Sequence, residues 1–140
     1  MNIALTAFTR RGAALARDLA RALSVDGHRC TLACGEKLAA ELDLPDAYEC
    51  LGAWVGARFV DQDALIFVGA SGIAVRAIAP YVRDKFTDPA VLSLDEAGRF
   101  VVPLLSGHVG GANDLARRVA VIVGGTAVIS TATDVNGLFA

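Results

Sequence analysis

The stretch that decides the fold is DALIFVGASGIAVRAIAP, which runs from Asp63 to Pro80. Its first part, ALIFV, is a continuous apolar run typical of a strand that is buried on both faces. GASG follows at once and leads into IAVRAIA, which predicts a helix that ends at Pro80. A buried strand that passes through small residues into a helix is the building unit of a parallel α/β sheet.

The same alternation extends toward the start of the chain. Residues 1–7 predict a strand, residues 11–23 predict an amphipathic helix with leucines and alanines on one face, and residues 29–33 predict a second strand. Residues 36–42 predict a short helix. Residues 51–59, around Trp54, are ambiguous between a helix and a strand.

Downstream, AVLSL and RFVVPLL flank a polar turn at residues 95–98, which is a hairpin signature. Residues 115–123 repeat the helical spacing, and TAVIS supplies a last strand. We therefore predict one α/β domain over residues 1–140: an open, mostly parallel twisted sheet with helices on both faces and one antiparallel hairpin. The expected fold is Rossmann-like, but the fingerprint G-x-G-x-x-G is absent, which disfavours NAD.

Composition and charge exclude several classes of function. The apolar runs are broken within about ten residues, short of the roughly 20 that cross a bilayer, so we predict no membrane span. The apolar stretch of the amino terminus precedes its charges, the reverse of a secretory signal, which predicts a cytoplasmic protein. A formal net charge of -2 with only 6% aromatic residues argues against nucleic acid as a partner.

The cysteines and histidines do not predict a metal site. Cys30, Cys34 and Cys50 form an odd set without a C-x-x-C pair, so we expect free, buried thiols instead of disulfides or a zinc site. The two histidines, His28 and His108, have no ligand spacing between them.

Ligands of open α/β sheets bind beyond the carboxyl ends of the strands, where loops lead into helices. The candidate loops are residues 6–10, 69–72, 106–111 and 131–134. We expect them to converge on a single rim of the sheet.

In the loop Gly69-Ala70-Ser71-Gly72, small residues let a ligand approach backbone N–H groups, which predicts an anion cup. The alternative is that the glycines only permit a tight turn. The loop is neither a Walker loop nor a G-x-S-x-G nucleophile elbow. Arg76 is the only charge in the helix that follows, so we expect a buried guanidinium that pairs with Asp84, Asp88, Asp134 or a ligand carboxylate.

The second glycine-rich stretch is LLSGHVGGAND, residues 104–114. It combines bare backbone with His108, whose neutral imidazole can take a proton from water while backbone N–H groups hold an oxyanion. A turn or packing residue is the alternative for His108. Asp134 is expected on the same rim, either to orient His108 or a water, or to cap a helix.

These stretches resemble a known family. GASGIAVRAIAP, TDPAV, LDEAGRFVVPLLSGHVGGAND and VISTATDVNG are similar to the amino-terminal domain of the CbiG proteins, the cobalt-precorrin-5A hydrolases of anaerobic cobalamin biosynthesis. The resemblance is strong over residues 63–137 and general over the first 60. GIAVRAIAP and LSGHVGGAN, in this order and at this separation, make the resemblance specific.

The resemblance implies a carbon–carbon bond hydrolase that opens the δ-lactone of cobalt-precorrin-5A and releases acetaldehyde to give cobalt-precorrin-5B. It implies no cofactor of the protein, because the substrate carries the cobalt. We assign His108, Ser106 and Asp134 as catalytic candidates, with His108 as base and Ser106 or the loop amides as oxyanion donors. The substrate-binding candidates are Gly69, Ser71, Gly72, Arg76, Asp88, Gly107, Gly110, Gly111, Asn113, Thr131 and Thr133.

Family members continue into a middle region and a carboxyl-terminal domain that this sequence lacks, so activity of the 140 residues alone is not expected. The rival interpretation is a non-catalytic module that binds an anionic tetrapyrrole or a phosphate. A third is a docking domain for the missing regions or for other enzymes of the pathway, which predicts an exposed apolar patch and a homodimer.

Overall fold

Strands and helices alternate along residues 1–132, the part of the chain that the computed structural model describes. The strands are β1 (Asn2–Ala7), β2 (Arg29–Leu32), β3 (Cys34–Gly35), β4 (Ala47–Tyr48), β5 (Ala64–Val68), β6 (Ala90–Leu94), β7 (Phe100–Leu105) and β8 (Thr126–Ala127). The α-helices are α1 (Arg10–Val25), α2 (Glu36–Glu41), α3 (Leu51–Asp61), α4 (Ser71–Ile78) and α5 (Ala112–Val123), and a 3₁₀ turn (Ala79–Tyr81) follows α4.

The main sheet has the strand order β2-β1-β5-β6-β7-β8. All its neighbours pair in parallel except β6 and β7, which form the antiparallel hairpin. The open, mostly parallel α/β sheet and its hairpin are therefore confirmed. Strands β3 and β4 form a separate parallel pair that the sequence did not predict.

Helices cover both faces of the sheet, as predicted. On one face, Leu19 and Leu23 of α1 pack with Ile66 of β5 and with Val119 of α5. On the other face, Val55 of α3 and Ala74 and Ile78 of α4 pack with Leu65 and Phe67 of β5. Adjacent residues of β5 thus serve opposite cores, which explains its continuous apolar run. Burying each large aliphatic side chain stabilises the fold by about 1.5–3 kcal/mol.

The ambiguous residues 51–59 belong to helix α3, because Leu51, Val55 and Phe59 recur at helical spacing and pack into one core. The predicted last strand is shorter than expected, with only Thr126 and Ala127 paired. The prediction of buried thiols holds for Cys34 but is wrong for Cys50, which precedes α3 and is exposed.

The direction of β7 separates loops that the sequence placed together. We call the edge at which β1, β5 and β6 end the carboxyl edge, and the edge at which they begin the amino edge. Because β7 is antiparallel to β6, residues 106–111 emerge at the amino edge, whereas residues 69–72 lie at the carboxyl edge. The five residues of β6 separate the two edges by roughly 16 Å. The expectation of a single rim is therefore wrong.

No helix within residues 1–132 combines the length and the apolar character that a bilayer span requires.

Candidate functional site

At the amino edge, hydrogen bonds join residues that are far apart in the chain. The Ser106 hydroxyl donates to the Asp88 carbonyl oxygen at 3.1 Å. The backbone N–H of Asn113 donates to the Gly107 carbonyl oxygen at 2.8 Å, and its side-chain Nδ2 donates to Thr131 Oγ1, also at 2.8 Å. The structure thus brings together the predicted residues that follow β7, those at the start of α5 and those that follow β8.

The glycines of this loop are required by the loop itself. A Cβ on Gly110 would lie 2.5 Å from Ser106 Cβ, and a Cβ on Gly107 would lie 2.8 Å from Asn113 Oδ1. Gly111 has a φ of +82°, in the left-handed region that glycine tolerates. The requirements of a tight turn therefore account for all three glycines of this loop.

The start of α5 is not an open anion cup. Its Ala112 and Asn113 N–H groups donate to the Ser106 and Gly107 carbonyls, so the loop satisfies amides that a helix leaves unpaired. The amides of Val109 and Gly110, by contrast, make no hydrogen bond with residues 1–132.

His108 and Val109 are exposed at the tip of the loop, with Val109 58% exposed. Burial in the interior would exclude His108 as a base, and His108 is exposed. Ser106, in contrast, is only 9% exposed and its hydroxyl is already bound to Asp88, which leaves the loop amides as the accessible donors.

A cavity of about 450 Å³ adjoins the loop at Gly110 and is walled by Asp63, Phe86 and Asp88. Backbone amides hold the carboxylates of both aspartates: Asn2 donates to Asp63 at 2.7 Å, and Arg83 donates to Asp88 at 2.8 Å. The segment that leads to Asp88 also exposes the cationic side chains of Arg83 and Lys85. This edge thus carries charges of both signs, the two cations in the segment before Asp88 and the carboxylates of Asp63 and Asp88 in the cavity wall.

The carboxyl edge holds the other predicted site residues, those of the loop at residues 69–72 and Arg76. The Ser71 and Ser93 hydroxyls lie 3.1 Å apart, and Ser93 donates to the Gly69 carbonyl at 3.3 Å. The Phe8 ring covers Gly69, and a Cβ on Gly72 would meet only Arg76 Nη1, at 3.7 Å.

Arg76 is exposed, and it makes no ion pair or hydrogen bond with residues 1–132. The prediction of a buried guanidinium paired with Asp84 or Asp88 is therefore wrong. Arg76 lies on the face of α4 opposite to Ala74 and Ile78, which pack into the core, so its side chain faces solvent.

Two acids flank the glycine loop at the carboxyl edge. Asp95 and Glu96 line a cavity of about 270 Å³ together with Gly69 and Ala70, and the Thr9 hydroxyl donates to Glu96. Burial opposes ionisation of Asp95, but hydrogen bonds from the Phe100, Arg99 and Ala97 amides outweigh it and lower the pKa of its carboxyl. The surroundings of the glycine loop thus combine the negative charge of these two acids with the positive charge of the exposed Arg76.

A larger cavity, of about 840 Å³, also lies at the carboxyl edge, between the start of α1 and the β3–β4 pair. The Tyr48 hydroxyl lies 2.8 Å from Thr6 Oγ1 in its wall, and burial raises the pKa of Tyr48. Arg10 in this cavity is paired with Glu41 at 3.4 Å.

Sequence reasoning missed Arg83, Lys85, Phe86 and Tyr48, for which no motif gave a signal. Of the predicted site residues, Thr133 and Asp134 lie outside the described residues, so the prediction that Asp134 orients His108 stays a prediction.

Comparison with known proteins adds independent findings. The family model described as "Cobalamin synthesis G N-terminal" matches residues 53–134. A Salmonella typhimurium protein named cobalt-precorrin-5A hydrolase is 46% identical over 99% of this chain, which spans 38% of that protein. A Priestia megaterium protein of the same name is 47% identical over 56% of this chain and is covered to 21%.

A solved structure shows the same fold. The crystal structure of a cobalamin biosynthesis protein G homolog from Sulfolobus solfataricus superposes with a TM-score of 0.74 and 26% sequence identity. The superposition covers 92% of this chain and 36% of that one. This chain therefore spans little more than a third of the length of the Salmonella protein and of the Sulfolobus protein.

Proposed function

Because the chain belongs to the Cobalamin synthesis G N-terminal family, we propose that it is the amino-terminal part of a cobalt-precorrin-5A hydrolase of cobalamin biosynthesis. The main support for this proposal is the hydrogen-bonded cluster at the amino edge. It joins Asp88, residues 106–113 and Thr131, and it includes the exposed His108. We assign the lactone chemistry to this edge and not to the glycine loop at residues 69–72.

In the proposed reaction, the His108 imidazole takes a proton from a water as that water attacks the lactone carbonyl. The amides of Val109 and Gly110, which make no bond within residues 1–132, hold the developing oxyanion. One such donor contributes about 10²- to 10³-fold to the rate. Collapse of the intermediate breaks the C–O bond of the lactone and leaves a carboxylate and a hydroxyl on the two-carbon fragment. Loss of the proton of that hydroxyl then forms the carbonyl of acetaldehyde as the carbon–carbon bond to the macrocycle breaks, and the electron pair of that bond stays on the macrocycle and takes up a proton.

Cations at the amino edge support the proposal for a substrate with many carboxylate arms. Arg83 and Lys85 are exposed in the segment that leads to Asp88, whose carbonyl accepts the hydrogen bond from Ser106 of the histidine loop. Each of these cations can pair with a carboxylate arm of the substrate. The apolar ring of Phe86, 66% exposed, offers a surface for the macrocycle.

The proposal includes three further parts. The protein needs no resident cofactor, because the cobalt arrives with the substrate. The reaction takes place in the cytoplasm. The rest of the protein, which accounts for more than half the length of the Salmonella relative, packs against this domain to complete the enzyme.

The test replaces His108 with Gln in the intact protein and measures acetaldehyde released from cobalt-precorrin-5A. We expect turnover to fall by about 10²- to 10⁴-fold, the usual contribution of general base catalysis. The matched control is His28→Gln, the other histidine, which we expect to keep full turnover. Undiminished turnover of His108→Gln would exclude His108 as the base.

A binding module remains the second candidate, because the 840 Å³ cavity at the carboxyl edge has the size of a ligand site. A titration of the chain with the tetrapyrrole distinguishes the two functions. Binding that survives in His108→Gln but is lost when the carboxyl-edge cavity is blocked by Gly35→Trp favours the module.

A further inference from the structure

Asn113 occupies the junction of the segments that form the amino edge. It lies in the first turn of α5 and is only 3% exposed. Its backbone N–H donates to the Gly107 carbonyl, directly before His108 in the chain, and its side-chain Nδ2 donates to Thr131 Oγ1 beyond β8. One residue thus connects the loop that carries His108 with the segment that follows the last strand.

The side chain of Asn113 also fills the space beneath the loop. Its Oδ1 lies 2.8 Å, and its Nδ2 3.4 Å, from the point that a Cβ on Gly107 would occupy. The loop backbone therefore rests directly on the Asn113 amide. An amide in this place, unlike an aliphatic group, can support the backbone and donate to Thr131 at the same time.

We infer that Asn113 is a positioning residue for His108 and does not contact the substrate, in contrast to its assignment from the sequence as a binding residue. This inference rests on the proposed function of His108. A side chain that is 3% exposed has no surface to offer to a ligand, whereas its contact with Gly107 fixes where the neighbouring imidazole stands. Small displacements of a catalytic group are costly, since about 1 Å of misplacement lowers a rate by about a hundredfold.

The test compares Asn113→Ala with Asp114→Ala in the intact protein. Asp114 is the matched control: it follows Asn113 in the same helical turn, but its carboxylate is 91% exposed and pairs with Arg117 along the helix. We expect Asn113→Ala to lower kcat by about a hundredfold with KM within about threefold, because positioning acts on the transition state and not on uniform binding. We expect Asp114→Ala to keep both parameters.

A second variant, Thr131→Val, removes the partner hydroxyl without emptying the space beneath Gly107. We expect a smaller fall in kcat, and no further fall when it is combined with Asn113→Ala, since both changes remove the same hydrogen bond. If Asn113→Ala fails to fold by circular dichroism, Thr131→Val decides alone: a lowered kcat supports the inference and an unchanged kcat overturns it.

The outcomes separate this inference from the function on which it rests. An inactive His108→Gln together with a fully active Asn113→Ala overturns the positioning role alone. A rise in KM with unchanged kcat for Asn113→Ala assigns the residue to substrate contact and also overturns it. A fully active His108→Gln ends the proposed function, and the positioning role with it.

Discussion

The two glycine loops of this chain look alike in sequence but differ in what their glycines do. In the loop at the amino edge, Gly107 and Gly110 are pressed against Asn113 and Ser106, and no side chain fits. In the loop at the carboxyl edge, Gly69 is packed against the Phe8 ring, but Gly72 faces little more than the movable end of Arg76. A glycine in a loop can therefore be required by close packing of the backbone as well as by the approach of a ligand.

The two edges do not differ simply in charge. The amino edge carries Arg83 and Lys85 but also the carboxylates of Asp63 and Asp88, and the carboxyl edge carries Asp95 and Glu96 but also the exposed Arg76. The packing around the glycines therefore distinguishes the two loops more clearly than charge does. Three substitutions, through their effects on the free energy of unfolding, test how far the packing at the two edges differs.

The largest effect is expected for Gly110→Ala at the amino edge. The new Cβ would lie 2.5 Å from Ser106 Cβ and 2.9 Å from the Ser106 carbonyl oxygen, and the backbone cannot move aside without losing the loop. We expect a loss of about 2–3 kcal/mol in the free energy of unfolding, at the upper end for overpacking. Urea denaturation measures it, and a loss below about 0.5 kcal/mol, the range of neutral surface changes, would show that the loop is loosely packed.

A smaller effect is expected for Asp95→Ala at the carboxyl edge. Its carboxylate accepts amide hydrogen bonds from Ala97, Arg99 and Phe100, the last at 2.8 Å. We expect a loss of about 1 kcal/mol at neutral pH after allowance for solvent screening.

The effect of Asp95→Ala should also depend on pH. The pKa of the Asp95 carboxyl is lowered in the folded protein, so its stabilisation is fully present above the unfolded value, near pH 4, and is lost as pH falls further. Urea midpoints of the wild type and the variant should therefore converge below about pH 4. A difference that stays constant down to the acid transition would contradict this role of the carboxylate.

The smallest change, and one of opposite sign, is expected for Gly72→Ala. Gly72 lies inside the first turn of α4, and the added methyl meets open space apart from Arg76 Nη1. Alanine in place of glycine in a helix should stabilise the protein by about 0.5 kcal/mol. A marked destabilisation in thermal melts would mean that both loops are packed alike.

Most of the fold is predictable from the sequence, because local patterns specify it. The continuous run of β5, the one-sided spacing of α1 and α5 and the polar turn at residues 95–98 each determine an element directly. The β3–β4 pair escapes prediction, since two-residue strands carry no periodicity.

The placement of the site is less predictable, and the error has a physical reason. The hairpin at residues 95–98 reverses the chain, so the loop after β7 must emerge at the edge opposite to the loop after β5. The rule that ligands bind at the carboxyl ends of strands applies to the parallel strands of such a sheet, and β7 is antiparallel to its neighbour β6. The exposure of Arg76 likewise depends on where α4 lies, which no local pattern contains.

The central claim is that the lactone chemistry occurs at the amino edge. A crystal structure of the intact protein with the reaction product bound tests it most directly. We predict that the product's carboxylates lie within hydrogen-bond reach of His108 and the Val109 and Gly110 amides. A product seated instead between Phe8 and Gly69 at the carboxyl edge would contradict the claim.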